Sequence, residues 1–404
     1  MEAFDFQLRT RLIYGAGTIE RLGKLARELG TRKVLLVTDT GLVRAGHALR
    51  AERVLVEAGN EVRMFDGTRE NPTTQDVETC LDYVGVELPD LIVGIGGGSS
   101  IDTAKGTNLL LTNGGRMEDY WGSGKAREPM LPSIGVPTTA GTGSEAQSYA
   151  LIAQAEPEPG MRHGRKMACG DPKARFRTVL LDPELLASAP RRALGAAAID
   201  AVSHAVESYV TKRRNPVSTM LAREAWRLLE ESFEAFLGDP GDREAAGAML
   251  LGAHLAGAAI EASMLGAAHA AANPLTAAYG TAHGVAVGLM LPHVVRFNGF
   301  VAGDLYGELA EAASGAAADA RAAGGRSRAW VTPGEVDSGK ALAARIERLR
   351  RAAGLPEHLG DCGVERERLP ELARLATREW TGTFNPRLLA EADFLKLYEL
   401  ASAG

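Results

Sequence analysis

The chain has little cysteine: three residues in 404, Cys80, Cys169 and Cys362, far apart and without a CxxC pair. Thiols so few and scattered argue against a disulfide framework and fit a reducing compartment, so a cytoplasmic protein is expected. Positive charge is not in excess either. The 45 Lys and Arg against 51 Asp and Glu leave a formal net charge of −6. That balance argues against nucleic acid or an anionic membrane surface as the main partner. No run of about 18 apolar residues is evident, and residues 1–30 lack a charged-then-apolar leader pattern, so no membrane partner is expected. Familiar signatures are missing too. The absence of a GxSxG elbow disfavours a serine hydrolase, and there is neither a Walker loop nor a spaced GxGxxG.

What is present begins with alternation. "KVLLVTD", "EVRMFDG", "PDLIVGIGGG" and "PSIGVP" read as strands, separated by helix-length segments such as "TQDVETCLDYVGV" and "IDTAKGTNLLL". Apolar strands joined by helical crossovers predict a parallel sheet covered on both faces. After "VLLDPELLASAP" the character changes, and from about Pro190 the chain reads as helices only. The expectation is an α/β nucleotide-binding domain over 1–185 and an all-α domain over 186–404. Ser314–Lys340, rich in Ala and Gly, reads as a surface excursion between helices.

"GIGGGSSIDTAKG" runs from a strand straight into a helix. Consecutive glycines let the backbone approach a ligand, and a helix amino end offers free N–H groups to phosphate. Gly96, Gly97, Gly98 and Ser99 form the expected cradle. Asp102 and Lys105 follow on the first turns, where Lys105 could equally be a solvated charge. "PTTAGTGSE", Pro137–Glu145, is a second polar loop after a strand, either a helix cap or a group of ribose and phosphate ligands. Ligands of open parallel sheets sit at the strands' carboxyl ends, so two such loops support one nucleotide site. Asp39 ends an earlier strand at that edge. As a carboxylate it would accept from ribose hydroxyls and repel a 2′-phosphate, favouring NAD over NADP, although a cap role fits it as well.

Eight histidines include two at the ends of "HAAANPLTAAYGTAHG", His269 and His283. In "IDAVSHAVESYV", Asp200 and His204 are four apart and share a helix face. Alone, that pair is an ion pair, a catalytic dyad or two metal ligands. With His269 and His283 the set becomes one carboxylate and three imidazoles, which suits Fe(II) or Zn(II). His47, His163, His254, His293 and His358 show no comparable partners.

These pieces together resemble the iron-containing (group III) alcohol dehydrogenases of the dehydroquinate-synthase-like fold. The resemblance rests on "NPT" at Asn71–Thr73, "GGGSSIDTAK", "PTTAGTGSE", "IDAVSHAVESYV" and "HAAANPLTAAYGTAHG", in that order. It implies a nucleotide-binding domain, a helical domain and an active site in the cleft between them. Asp200, His204, His269 and His283 match the metal ligands. Asp39, Asn71, Gly96–Ser99, Asp102, Thr138, Thr139, Thr142 and Ser144 fall in the cofactor set. The implied activity is hydride transfer between NAD(H) and a small alcohol, aldehyde or ketone. A maleylacetate-reductase-like or glycerol-dehydrogenase-like reaction is the alternative, and a homo-oligomer, often a dimer, is expected. Two positions depart from the pattern. Asn273 stands where relatives often carry a second histidine, a candidate proton carrier that Asn cannot replace by titration. Glu261, if it faces the cavity, should disfavour anionic substrates; otherwise it points to solvent.

Overall fold

The computed structural model describes residues 4–7, 9–313 and 338–403, so most of the Ser314–Lys340 excursion lies outside the described residues. The N-terminal part carries strands β1 (Arg11–Tyr14), β2 (Lys33–Val37), β3 (Glu61–Phe65), β4 (Leu91–Gly96), β5 (Gly122–Ser123), β6 (Ser133–Pro137), β7 (Tyr149–Ala153), β8 (Lys166–Gly170) and β9 (Thr178–Leu181). Between them run helices α1 (Leu22–Glu28), α2 (Thr40–Arg44), α3 (His47–Glu57), α4 (Thr74–Val84) and α5 (Gly98–Asn113). Six strands form one parallel sheet in the order β1-β9-β6-β4-β2-β3.

The alternation of side chains sets the layers. Val34 and Leu36 of β2 face Leu22, Leu25, Ala51 and Leu55 of α1 and α3. Leu35 and Val37 face the other way, into a layer with Cys80, Val84 and Ala104 of α4 and α5. Both faces are covered, as the continuous apolar runs require. From β2 the chain steps outward to β3, then returns to place β4 on the other side of β2. The carboxyl ends of β2 and β4 therefore flank a topological switch point, where open α/β sheets bind ligands.

β1, β9 and a second sheet of β5, β8 and β7 go beyond the four strands read from the sequence. β1 is an edge strand with a mostly exposed pattern, and β5 is two residues long. β7 and β8 are interrupted by Ala and Gly, so neither shows a clean apolar period.

The helical part comprises α6 (Arg191–Val210), α7 (Pro216–Gly238), α8 (Arg243–Ser263), α9 (Ala267–Tyr279) and α10 (His283–Ala312), followed by helices Ser338–Ala352, Leu369–Ala376 and Glu391–Ser402. α6 is central, packed by α7, α8 and α10, and every residue from Ala198 to Val210 is buried. A helix enclosed on all sides needs no polar stripe. Asn215 starts α7 by accepting from the backbone N–H groups of Val217 (3.1 Å) and Ser218 (3.0 Å), with Pro216 in the first position. Contrary to the expectation from run length, α8 and α10 are long and apolar enough to cross a membrane. Two thirds of the apolar window in each is buried inside the protein, as in core helices.

Small residues let the two parts meet backbone to backbone. A Cβ on Gly141 would lie 2.7 Å from that of Ala197 on α6. Gly143, at φ +58°, packs on Gly257 of α8, and a Cβ on Gly257 would lie 2.8 Å from the Gly143 Cα. A Cβ on Gly284 would run into the Ala196 carbonyl. Gly257→Ala should therefore overpack this seam, costing about 2 kcal/mol. Gly238→Ala, where a Cβ meets nothing, is the control. Equal melting temperatures for the two variants would remove the seam's packing from this account.

Candidate active site

α6 presents Asp200, His204 and Glu207 on one face, spaced by four and then three. α9 adds His269 one turn in, and His283 opens α10. Asp200 Oδ1 lies 3.5 Å from His204 Nε2, 3.7 Å from His269 Nε2 and 3.9 Å from His283 Nε2. Donor atoms of Asp200, His269 and His283 all lie within 4.8 Å of one another. His204 flanks that group and stacks on His269, with ring centroids 4.9 Å apart and planes 21° from parallel. All four residues singled out in the sequence thus meet in one place.

Asp200 Oδ1 and His269 Nε2 are buried without a hydrogen-bond partner. Two such atoms left facing each other are costly. A divalent cation between them would satisfy both, and the carboxylate-imidazole donor set suits Fe(II) or Zn(II). The residues present fit such an ion. Glu207 supports the group from behind: its Oε2 is 2.6 Å from His269 Nδ1, and its Oε1 accepts from the Ala268 N–H at 2.7 Å. That contact directs His269 Nε2 toward Asp200.

Charge divides unevenly among these groups. Burial opposes ionisation of Asp200, but the surrounding imidazoles reverse this and hold its carboxyl well below the usual range. Burial pulls His204 down to about 4 and His283 well below its ordinary value. Burial opposes charge on His269 too, yet Asp200 and Glu207 hold it up at about 9.

The side expected to take the nucleotide is built at the switch point. β4 ends in Gly96, at φ +151°, where a Cβ would lie 2.5 Å from Ser100 Oγ. Gly97 precedes α5, and no side chain caps the helix. A Cβ on Gly98 would strike Thr142, while Gly97 packs on Thr139, so the two polar loops touch. The Thr138 N–H donates to the Gly96 carbonyl (3.0 Å). Asp39 is a cap after all: its Oδ1 accepts from the Leu42 N–H (3.1 Å), and its Oδ2 lies 3.5 Å from Ser100 Oγ. Asn71 holds a left-handed φ of +52°, and Thr73 beside it starts α4 in a capping box with Asp76. A cleft of about 600 Å³ runs from this edge to the histidines. Asn71, Gly98, Ser99, Asp102, Thr142 and Ser144 line it, as do Asp200, His204, His269 and His283. Asp39, Gly96, Gly97, Thr138 and Thr139 do not.

Residues 9–183 match the iron-containing alcohol dehydrogenase family model, and residues 195–402 match the C-terminal model of the same family. This chain belongs to the iron-containing alcohol dehydrogenase family. It is 30% identical over 397 residues to the NAD-dependent methanol dehydrogenase of Bacillus methanolicus, covering 98% of this chain and 99% of that one. It is also 30% identical to the 1,3-propanediol dehydrogenase of Klebsiella pneumoniae, over 98% of both. A crystal structure of a 1,3-propanediol oxidoreductase superposes with a TM-score of 0.90 at 30% identity, covering 99% of this chain and all of the other.

Two residues of this alcohol dehydrogenase family member, Glu207 and Lys166, escaped the sequence reading, and the structure places three others, Lys105, His254 and Glu261, more definitely. Glu207 continues the Asp200, His204 face, but its partner His269 comes from α9, 62 residues on. Lys166 of β8 lines the cleft between the two loops and the histidines. Burial lowers its pKa against the pull of Asp102 and Asp200, and no ion pair holds it among the described residues. Lys105 is buried rather than solvated. Its Nζ donates to the carbonyls of Ser144 (2.9 Å), Gln147 (3.3 Å) and Tyr149, and lies 3.3 Å from Asp102 Oδ1. His254 does have a partner: its Nδ1 meets Glu145 Oε1 at 3.0 Å, tying the second loop to α8. Glu261 neither points to solvent nor stands as a bare charge. Arg175 pairs with it at 2.5 Å, and the Ser148 N–H and hydroxyl donate to it at 3.0 and 2.8 Å. The expected bias against anionic substrates loses its physical basis.

In chelated, metal-free protein His269 should keep its proton up to about pH 9, against 6.5 unfolded. The stability this contributes is complete below pH 6.5 and fades as pH rises through 9. Ring-proton NMR titration should place the midpoint near 9, and lower in Glu207→Gln. A midpoint near 6.5 in both proteins would refute the role given to Glu207.

Proposed function

We propose that this chain is a metal-dependent, NAD(H)-linked alcohol dehydrogenase or aldehyde reductase. It would move hydride between the nicotinamide and a small alcohol or the corresponding carbonyl. The observation that carries this reading is the unsatisfied pair of Asp200 Oδ1 and His269 Nε2, buried on a cleft that a glycine turn closes at its other end. The names of the relatives, a methanol dehydrogenase and a 1,3-propanediol dehydrogenase, support small alcohols as the substrate class. A maleylacetate-reductase-like or glycerol-dehydrogenase-like reaction on the same fold finds no such support among them.

Asp200, His204, His269 and His283 would hold Fe(II) or Zn(II). Gly96, Gly97, Gly98 and Ser99, with the amino end of α5, would take the pyrophosphate. Asn71, Asp102, Thr138, Thr139, Thr142 and Ser144 would surround the rest of the dinucleotide. When bound, the ion would polarise the substrate oxygen and the nicotinamide would carry the hydride. The chain's own share is placement. Glu207 orients His269, and the pair of Asp102 with Lys105 fixes the start of α5 against the second loop. Asp39 supports a preference for NAD, since a 2′-phosphate would bring negative charge to its carboxylate. We also place the domain division at 185/186, between the end of β9 and the start of α6. A cytoplasmic homo-oligomer completes the proposal; the three free thiols fit a reducing compartment.

The test is NADH oxidation by protein loaded with Fe(II) without oxygen, against short aldehydes and ketones. Turnover should require metal, and His269→Ala should lose bound metal and activity together. Activity retained by the metal-free variant would end the proposal. For Asp39, the informative variant is Asp39→Asn, which keeps a capping acceptor while removing the charge. The ratio of kcat/KM for NADPH over NADH should rise about 10-fold, the equivalent of 1.4 kcal/mol. An unchanged ratio would leave Asp39 as a cap alone.

A further inference from the structure

Glu379 lies just after the helix Leu369–Ala376, with its side chain 13% exposed. Asn273 of α9 donates from Nδ2 to Glu379 Oε2 at 2.8 Å. Oε1 accepts no hydrogen bond among the described residues, and its nearest cation, Arg165 Nε, is 3.8 Å away. Burial pushes this carboxyl up from its ordinary value, against the hydrogen bond from Asn273 and the charge of Arg165.

Two small cavities, about 80 Å³ each, meet at this side chain. The inner one shares Tyr149, Ile260, His269 and His283 with the large cleft and is closed on its far side by the partly exposed Trp380. The outer one reaches the exposed residues Glu158, His163 and Arg378. Lys166, Asn273, His283 and Glu379 belong to both walls. Each cavity has room for water, which needs about 10–15 Å³ by the same measure.

We infer that Glu379 passes the substrate hydroxyl proton between the inner cavity and solvent, with Asn273 holding the carboxyl in place; this rests on the dehydrogenase reading above. In alcohol oxidation the carbinol C–H pair leaves as hydride to the nicotinamide. The O–H bond breaks, its proton moves to a water of the inner cavity and on to Glu379 Oε1, and Glu379 gives it up to water in the outer cavity. Carbonyl reduction runs the same transfers backward.

Most of the other ionisable groups here are committed elsewhere or stand at the surface. Glu261, on the inner cavity, has both oxygens taken by Arg175 and Ser148. His269 and His283 belong to the proposed ligand set. Arg165 and Arg378 are permanent cations. Lys166, on both walls, makes no ion pair among the described residues and is the one other group away from the surface free to carry a proton; Glu379→Gln leaves it in place, so the variant separates the two. Tyr149 is a phenol that burial raises further, and Tyr398, from the last helix, donates to the Ala271 carbonyl. Glu158 and His163 sit at the exposed mouth. Asn273 cannot titrate.

The experiment uses metal-loaded protein and an alcohol that the wild type turns over, taken from a panel of short alcohols and diols. It compares kcat against pH for wild type, Glu379→Gln and Glu379→Asp. The wild-type oxidation rate should fall on the acid side as Glu379 takes up its proton. Glu379→Gln, which keeps the side chain's shape, should lose that limb and about 100-fold in kcat. Its melting temperature and NADH affinity by fluorescence should stay unchanged. Glu379→Asp should restore an acid limb. A wild-type profile in Glu379→Gln, with kcat within twofold, would overturn the relay while leaving the dehydrogenase reading intact. A parallel loss of folding and NADH binding, with the limb still present, would also overturn it by making the role structural. No turnover by wild type on the whole panel would overturn both.

Discussion

The close approach of backbones around α6 is the constraint on which everything else depends. Asp200 and His204 sit on that helix, the second polar loop lies against Ala197, and α10 lies against Ala196. Side chains at Gly141 or Gly284 would push these elements apart, since their Cβ atoms would run into Ala197 and the Ala196 carbonyl. His283 opens α10 and reaches Asp200 only because Gly284, the next residue, lets the helix settle on α6. The distances between Asp200 and the three imidazoles are therefore set by residues that carry no chemistry themselves. Gly143 on Gly257 repeats the device on α8. The result is a cleft whose glycine-loop edge and histidine cluster are placed by the same close contacts.

Much of this was legible because strong local signals coincide with global need. The runs of β2, β4 and β6 are continuous and mostly apolar, as buried parallel strands must be, while β3, at the sheet edge, alternates charged with apolar residues. The triple glycine after β4 exceeds what a tight turn needs, and the Asp200 and His204 pair, ambiguous alone, gained meaning once His269 and His283 were set beside it. The small second sheet was not legible. Its strands are short and partly exposed, and their pairing is fixed by Tyr149, Lys166 and their neighbours across the chain rather than by a period. Glu207 was hidden differently: within "SHAVESYV" it looks like any helical glutamate, and only the docking of α9 gives it His269 as a partner. His254 with Glu145, and Glu261 with Arg175, are likewise tertiary pairs whose members are more than 80 residues apart in sequence.

Electrostatically the cleft is quieter than its composition suggests. Glu145, Glu207 and Glu261 are each taken up by a neighbouring His or Arg. Asp102 meets Lys105 and the Ser144 hydroxyl. What stays available, among the described residues, is Lys166 on the cleft wall, Glu70 and Arg192 at its exposed rim, and the free oxygen of Glu379 where the two small cavities meet. A site in which most charges are already committed leaves its chemistry to a few groups whose environments have been set in advance.

The burial of Lys105 also bears on ionic strength. Dissolved ions screen charges that share the solvent with them, over about 10 Å at 0.1 M salt. The Lys105 ammonium lies away from solvent among three carbonyls and Asp102, so salt reaches it poorly. Outer pairs such as Arg53 with Glu57 and Arg227 with Glu231 stand in water and weaken as salt is added. Rising salt thus erodes the rim of the molecule first. The junction between α5 and the second polar loop is the part least open to that screening.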